Sequence, residues 1–301
     1  MPAAGAAFAV SPDGSYATTI ESPDFVVIAQ RRGGLDISEA AGVCSWSESS
    51  DSDEDVVLDR KGDKFANGGE YNRRHHKTNR ATRDAMAAVA IGSVVQGDKD
   101  AKDKTSYINE TGVPDLVEIG GDEATGGDVC VETKVPSPLT QSRSAGKGSR
   151  KKGGKPASVG HLYAFGNTEE FYRVRILGCK QVGHPKMAPF DHTTGKGYVE
   201  GKAGQYADAL RKGSRVISAI VETFGGITPH FLSYLSYLAR RAKGRHGRDS
   251  TVYGRSRTSA RSFFTHHTQR IGLAAQVGDA QAIRRSVRYW KQCAAGAVTR
   301  A

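Results

Sequence analysis

The chain contains only four cysteines among 301 residues, and no two of them are spaced as C-x-x-C. This spacing predicts neither a disulfide framework nor a complete zinc site. The longest apolar run, around 85–95, is far shorter than the ~20 residues of a membrane span. No basic stretch precedes an apolar one at the N-terminus, which excludes a secretory signal pattern there. A nuclear or cytoplasmic protein with no membrane partner is the expectation.

Acidic residues are scarce in the second half of the chain. Residues 140–301 carry 29 Lys and Arg against 8 Asp and Glu, a net charge of +21. Residues 1–139 carry 14 against 24, a net charge of −10, and the whole chain is at +11. A basic half indicates a polyanionic partner, which we expect to be DNA, with RNA as the alternative. A basic scaffold that binds acidic proteins is a further alternative.

The pattern divides the chain into four regions. Residues 1–55 are rich in Ala, Gly and Ser, hold a candidate strand at Phe25–Gln30 and end in an acidic run, so we expect a disordered acidic N-terminal region. Residues 56–77 are a lead-in, 78–245 an α/β core with a basic loop insertion at 140–201, and 246–301 basic C-terminal helices.

Hydrophobic periodicity predicts the order helix, three strands, helix, strand, helix within the core. The predicted helices are 78–95, 203–212 and one that starts after Thr228-Pro229 and ends near Gly244. The predicted strands are 107–109, 115–119, 128–135 and the buried 216–221. Two further helices are expected at 259–276 and 280–292.

Two acidic positions and a lysine form the strongest chemical motif. Sixteen residues separate Asp115 from Glu132, which is enough for two strands and a Gly-rich turn. Glu132 and Lys134 are two apart in a strand and therefore share a face, about 7 Å from each other. Adjacent carboxylates repel unless they share a cation, and we expect Mg²⁺. The lysine is suited to stabilising charge on a scissile phosphate.

Other residues are candidates for single reasons. Glu222 ends the buried strand, and a buried carboxylate usually has a partner or a task. Basic and histidine side chains on the helices would suit a DNA backbone. These candidates are Arg74, His75, His76, Arg80, Arg240 and Arg241.

The P-D…E-x-K pattern and several blocks around it resemble the restriction-like, PD-(D/E)xK endonuclease region of non-LTR retrotransposons and related mobile-element proteins. The resemblance covers about residues 56–292. The blocks that carry it are Leu58–His76 (LDRKGDKFANGGEYNRRHH), Val113–Leu139, Lys202-x-x-x-Tyr206, Val216–Leu238 (VISAIVETFGGITPHFLSYLSYL) and Phe263–Arg285.

The resemblance implies a Mg²⁺-dependent endonuclease that nicks DNA to prime reverse transcription. It implies Asp115 and Glu132 as metal ligands, Lys134 as the catalytic lysine and Glu222 as a residue that completes the site. Lys202 and Tyr206 match positions near the active face, and either His75 or His76 matches the family histidine.

The sequence departs from the family pattern in the lead-in. Lys64 stands where the family has a histidine, and Asn67 lies near the position of an expected cysteine, so 56–77 is a degenerate zinc knuckle. No reverse-transcriptase segment is recognised among the 301 residues. The resemblance therefore implies a stand-alone or truncated piece with a separate reverse transcriptase as partner. A catalytically inactive, nucleic-acid-binding remnant of the same fold is the alternative.

Overall fold

The computed structural model describes residues 20–32, 35–38, 44–46, 55–57, 71–96, 113–136, 172–189, 196–246 and 262–295. Its helices are α1 Ser22–Arg32, α2 Tyr71–Ala87, α3 172–177, α4 Ala207–Arg211, α5 Pro229–His246 and α6 Phe263–Ala294. Its strands are β1 Cys44–Trp46, β2 Asp55–Val57, β3 Val94–Gln96, β4 Leu116–Glu118, β5 Val129–Lys134, β6 Gly178–Cys179, β7 Lys202–Ala203 and β8 Arg215–Ile220.

A four-stranded mixed sheet in the order β3-β4-β5-β8 forms the centre of the molecule. The first three strands are antiparallel neighbours, and β8 pairs parallel to β5 after a long crossover. The predicted mixed α/β class is confirmed. The predicted order of elements is matched only coarsely, because β3 overlaps a stretch that was predicted to be helical and because α3, β6 and β7 lie between β5 and α4. The predicted strand at 107–109 lies outside the described residues. Of the predicted loop insertion at 140–201 the structure describes 172–189 and 196–201, which contain α3 and β6.

The two faces of the sheet are buried against different helices. On one face Val129 and Val131 pack with the apolar sides of α2, α5 and α6. On the other face Cys130 and Val216 pack with Ile176 of α3 and Ala209 of α4. Burial on both faces explains why β8 is a nearly continuous apolar run rather than an alternating one.

Helix boundaries differ from the sequence prediction in several places. Helix α2 ends at Ala87 rather than at 95, and Val94–Gln96 form β3. Helix α4 spans Ala207–Arg211 rather than 203–212, and Lys202–Ala203 form β7. Helix α2 begins at Tyr71 rather than Thr78, so 71–77 belong to the core and not to the lead-in. Helix α6 is continuous where two helices were predicted, and Gly278 lies so close to α2 that an added Cβ would come within 2.6 Å of Cα of Arg74. Helix α5 runs past Gly244 to His246.

The N-terminal region is ordered over part of 1–55, contrary to the prediction. Phe25–Gln30 is helical rather than extended, and Val27 and Ile28 pack against Ile283 of α6. Asp24 accepts hydrogen bonds from Gln281 at 2.8 Å and Arg284 at 2.7 Å. The acidic composition of 1–55 predicted disorder, but the acidic run at its end lies outside α1. Composition therefore did not reveal this helix.

A buried ion pair ties β4 to α5. Nη1 of Arg241 donates to Oε2 of Glu118 at 3.0 Å and Nη2 donates to Oε1 at 2.6 Å. The backbone N–H of Ile91 donates to Oε1 at 2.9 Å. The side chains of Arg241 and Glu118 are 2% and 0% exposed. The two charges are therefore paired with good geometry inside the core.

His267 makes the fold sensitive to acid. Burial, and the neighbouring charges of His266 and Arg270, lower the pKa of His267 to about 3. The unfolded chain takes up this proton near pH 6.5, so the stability contribution is complete above that pH. We expect the free energy of unfolding to fall by about 1.4 kcal/mol for each pH unit as the pH is lowered from 6.5 towards 3.

Urea unfolding of the parent and of His267→Gln between about pH 5 and 7 measures this loss. The parent should lose stability with acid more steeply than His267→Gln. The half-exposed neighbour offers the control His266→Gln, which should keep the parent's slope. Equal slopes for the parent and His267→Gln would contradict the prediction.

Candidate active site

The proposed carboxylates lie opposite each other, Glu132 in β5 and Asp115 in the residue that precedes β4. Leu116 pairs with Val131, and the antiparallel register places Asp115 opposite Glu132. Paired positions of this kind have Cβ atoms about 5 Å apart. Lys134 lies two residues beyond Glu132 on the same face, opposite Ile220 of β8. The structure thus brings together the three residues that the sequence pattern nominated.

Asp115 is held by a backbone group and a histidine. Oδ2 accepts the backbone N–H of Thr133 at 2.8 Å and lies 3.1 Å from Nε2 of His75. Burial raises the pKa of Asp115, but the hydrogen bonds from His75 and Thr133 and the nearby positive charges outweigh it and hold the pKa below its ordinary value. Both contacts use the same carboxylate oxygen, Oδ2.

His75 is the other half of this ion pair. Burial lowers its pKa, but the hydrogen bond and the charge of Asp115 outweigh burial and raise the pKa above its ordinary value. His76 is exposed on the neighbouring face of α2. The structure therefore assigns the Asp115 contact to His75, a choice between the two histidines that the sequence left open.

The Glu132 carboxylate accepts hydrogen bonds from two side chains. Nζ of Lys134 donates to Oε1, and the hydroxyl of Tyr206 donates to Oε2 at 2.5 Å. Burial, together with the charge of Glu132, raises the pKa of Tyr206, so the phenol stays protonated and remains a donor. Tyr206 is 2% exposed because its ring packs with Ile176 and Val216 on the second face of the sheet.

The sequence pattern predicted a Mg²⁺ ion between Asp115 and Glu132. Among the residues described, no group of three or more His, Cys, Asp or Glu side chains is placed to hold a metal ion. Two carboxylates on facing strands are nevertheless a common protein contribution to Mg²⁺, which keeps several of its waters. Asp115 and Glu132 are the residues that would hold the ion.

Glu222 is near the end of the sheet but not in contact with this cluster. It lies two residues beyond Ile220, which pairs with Lys134, and the backbone N–H of Thr223 donates to Pro136 at 3.0 Å. Glu222 is 2% exposed, and within the described part of the chain its Oε2 has no hydrogen-bond partner. Burial raises the pKa of Glu222 to about 7. The structure therefore does not bring Glu222 together with Asp115 and Glu132.

Two of the predicted DNA-binding arginines have structural roles instead. Arg74 is 2% exposed and pairs with Asp279 at 2.9 Å. Arg241 forms a buried ion pair with Glu118 in the core. Sequence alone could not reveal this because the partners lie 205 and 123 residues away. Of the other predicted contacts, four are exposed, namely His76, Arg80, Lys202 and Arg240. His75 and Tyr206, which were also predicted to contact nucleic acid, are instead turned towards Asp115 and Glu132.

The backbone N–H of Thr133 was missed by sequence reasoning, since a main-chain donor carries no residue signature. The hydroxyl of Tyr206 was expected near this face only through the resemblance. Comparisons with protein-family models, curated proteins and solved structures return no match. Among the described residues no helix is both long and apolar enough to cross a membrane.

Proposed function

We propose that the chain is a Mg²⁺-dependent DNA endonuclease with a PD-(D/E)xK core. The observation that carries the proposal is the opposition of Asp115 and Glu132, with Lys134 on the same face. Support also comes from the mixed sheet β3-β4-β5-β8 and from the flanking helices α2 and α4, which supply His75 and Tyr206.

Each side chain has a distinct task in this proposal. When bound, Mg²⁺ supplies a Lewis acid that neutralises charge on the scissile phosphodiester. The Lys134 ammonium donates to the charge that develops on the phosphate, and Glu132 keeps that ammonium in position. Tyr206 and His75 fix the rotamers of Glu132 and Asp115, so that the two carboxylates present their oxygens to one point.

The net charge of the second half of the chain supports DNA as the substrate. The exposed Arg80 lies on α2, which also carries His75, and the exposed Lys202 lies in β7, four residues before Tyr206. The resemblance further implies that the product is a nick that primes reverse transcription by a separate enzyme. Such a role would place the protein with a mobile element.

Nicking of supercoiled plasmid tests the proposal. The parent should convert it to open circle with Mg²⁺ and fail to do so with EDTA. A Glu132→Ala preparation purified identically controls for contaminating nuclease and should stay at background. Activity of the parent equal to that of Glu132→Ala, or no activity in either, would remove the catalytic proposal.

Binding without cleavage would instead favour the inactive remnant. That alternative predicts salt-sensitive DNA binding with no dependence on Mg²⁺. The scaffold alternative predicts that DNA does not compete with acidic proteins for the basic surface.

A further inference from the structure

Helix α2 presents a row of cations on its solvent side. Arg73, His76, Arg80 and Arg83 fall within an arc of about 80° at 100° per residue, and they span about 15 Å along the axis. The first three are exposed, and the side chain of Arg83 is 42% exposed. We refer to these four residues as the α2 ridge.

The ridge begins beside the candidate active site. His75 contacts Asp115 at 3.1 Å, and the ring of His76 lies 5.8 Å from the ring of His75. Neighbouring helix positions point about 100° apart, so one histidine faces the site while the other faces solvent. A chain of phosphates passing the site would therefore continue along the ridge.

The opposite side of α2 is fixed to the core. Arg74 pairs with Asp279 of α6 at 2.9 Å. Thr78 and Thr82 are fully buried. The ridge cations are thus carried on a helix that is packed against the core. Asp84, the only acidic residue in that helix, lies at the edge of the ridge, 3.8 Å from Arg83 and 2.6 Å from Arg270.

We propose that the α2 ridge binds the phosphate backbone of duplex DNA next to the scissile bond. This inference rests on the proposed function, whose site it extends. One DNA strand places a phosphate every ~3.4 Å along the duplex axis, so a 15 Å row covers about four phosphates. Guanidinium groups are suited to this contact because they donate in a planar fork to phosphate oxygens.

The test is binding of a short labelled DNA duplex in EDTA, so that no DNA is cut, between about 50 and 200 mM salt. The variant is Arg73→Gln/Arg80→Gln/Arg83→Gln, since glutamine keeps helix propensity. We expect the slope of log K against log salt to become shallower by about 3, and affinity at 0.1 M salt to fall roughly 100-fold. Each single variant should make the slope shallower by about 1.

A matched control removes three cations from the exposed side of α6. Arg285→Gln/Arg288→Gln/Lys291→Gln changes the net charge equally, on a stretch of helix beyond Asp279. It should leave the slope unchanged. Equal losses of DNA affinity in both triple variants, or no loss in the ridge variant, would overturn the proposal that the α2 ridge binds DNA. Circular dichroism checks folding, and Arg73→Lys/Arg80→Lys/Arg83→Lys should keep the parent's slope.

The two proposals fail separately. A parent that nicks plasmid while the ridge variant binds like the parent retains the nuclease and overturns the ridge. A parent that never nicks, with DNA binding that still depends on the ridge, overturns the nuclease and supports the ridge. A greater loss on an RNA duplex than on the DNA duplex overturns duplex DNA as the partner.

Discussion

Replacing Arg241 with alanine should lower the free energy of unfolding by about 3–5 kcal/mol. The substitution leaves Glu118 as a charge with 0% side-chain exposure and without the guanidinium that faces it. The remaining donor to this carboxylate, the N–H of Ile91, cannot replace two charged hydrogen bonds. Urea denaturation measures the loss as a lower midpoint with an unchanged slope.

The adjacent residue provides a matched control. Arg240 is exposed on the same helix, so Arg240→Ala should change stability by no more than about 0.5 kcal/mol. The double variant Glu118→Leu/Arg241→Met should recover most of the lost stability, because apolar pairs often replace buried ion pairs without cost. Full recovery is not expected, since Ile91 keeps an unpaired N–H. Equal effects of Arg240→Ala and Arg241→Ala would contradict the buried pair.

Replacing Lys134 with methionine should lower the nicking rate at least 100- to 1,000-fold while leaving DNA affinity nearly unchanged. Methionine keeps the length of the side chain but cannot donate to charge that develops on the phosphate. The Lys134 side chain is only 23% exposed, so its ammonium is partly shielded from water. Shielding from water strengthens the interaction of this positive charge with the developing negative charge. Single-turnover nicking on saturating enzyme isolates this step from binding.

Lys134→Arg separates charge from geometry. It keeps the positive charge, but the wider guanidinium does not reproduce an ammonium that already contacts Oε1 of Glu132. We expect partial activity, between those of Lys134→Met and the parent. Loss of DNA affinity in Lys134→Met equal to the loss of rate would instead place this lysine among the backbone contacts.

The sequence predicted local features better than distant partnerships. Alternation in 128–135 and the apolar run 216–221 predicted β5 and β8, because strand periodicity depends only on neighbours in the chain. The spacing of Asp115 and Glu132 predicted their opposition, since a hairpin is local. The start of α2 and the continuity of α6 through Gly278 were missed. These two helices pack against each other, and such tertiary packing overrides weak local propensities.

The roles of the arginines could not be predicted for a different reason. Composition counts charges, but it does not say which of them find a carboxylate far away in the sequence. Arg74 and Arg241 looked equivalent to Arg80 and Arg240, and only the fold divides them into buried pairs and exposed cations. The same limit hid α1, whose partners lie on α6.

The docking of α1 on α6 also bears on biosynthesis. The contact between Asp24 and Arg284 joins residues 260 positions apart. A ribosome that adds about 5–20 residues each second needs roughly 15–50 s to make that interval. During this time Val27 and Ile28 have no apolar surface of α6 to cover them. Helix α1 therefore stays without its partner surface while all of the residues between the two helices are being made.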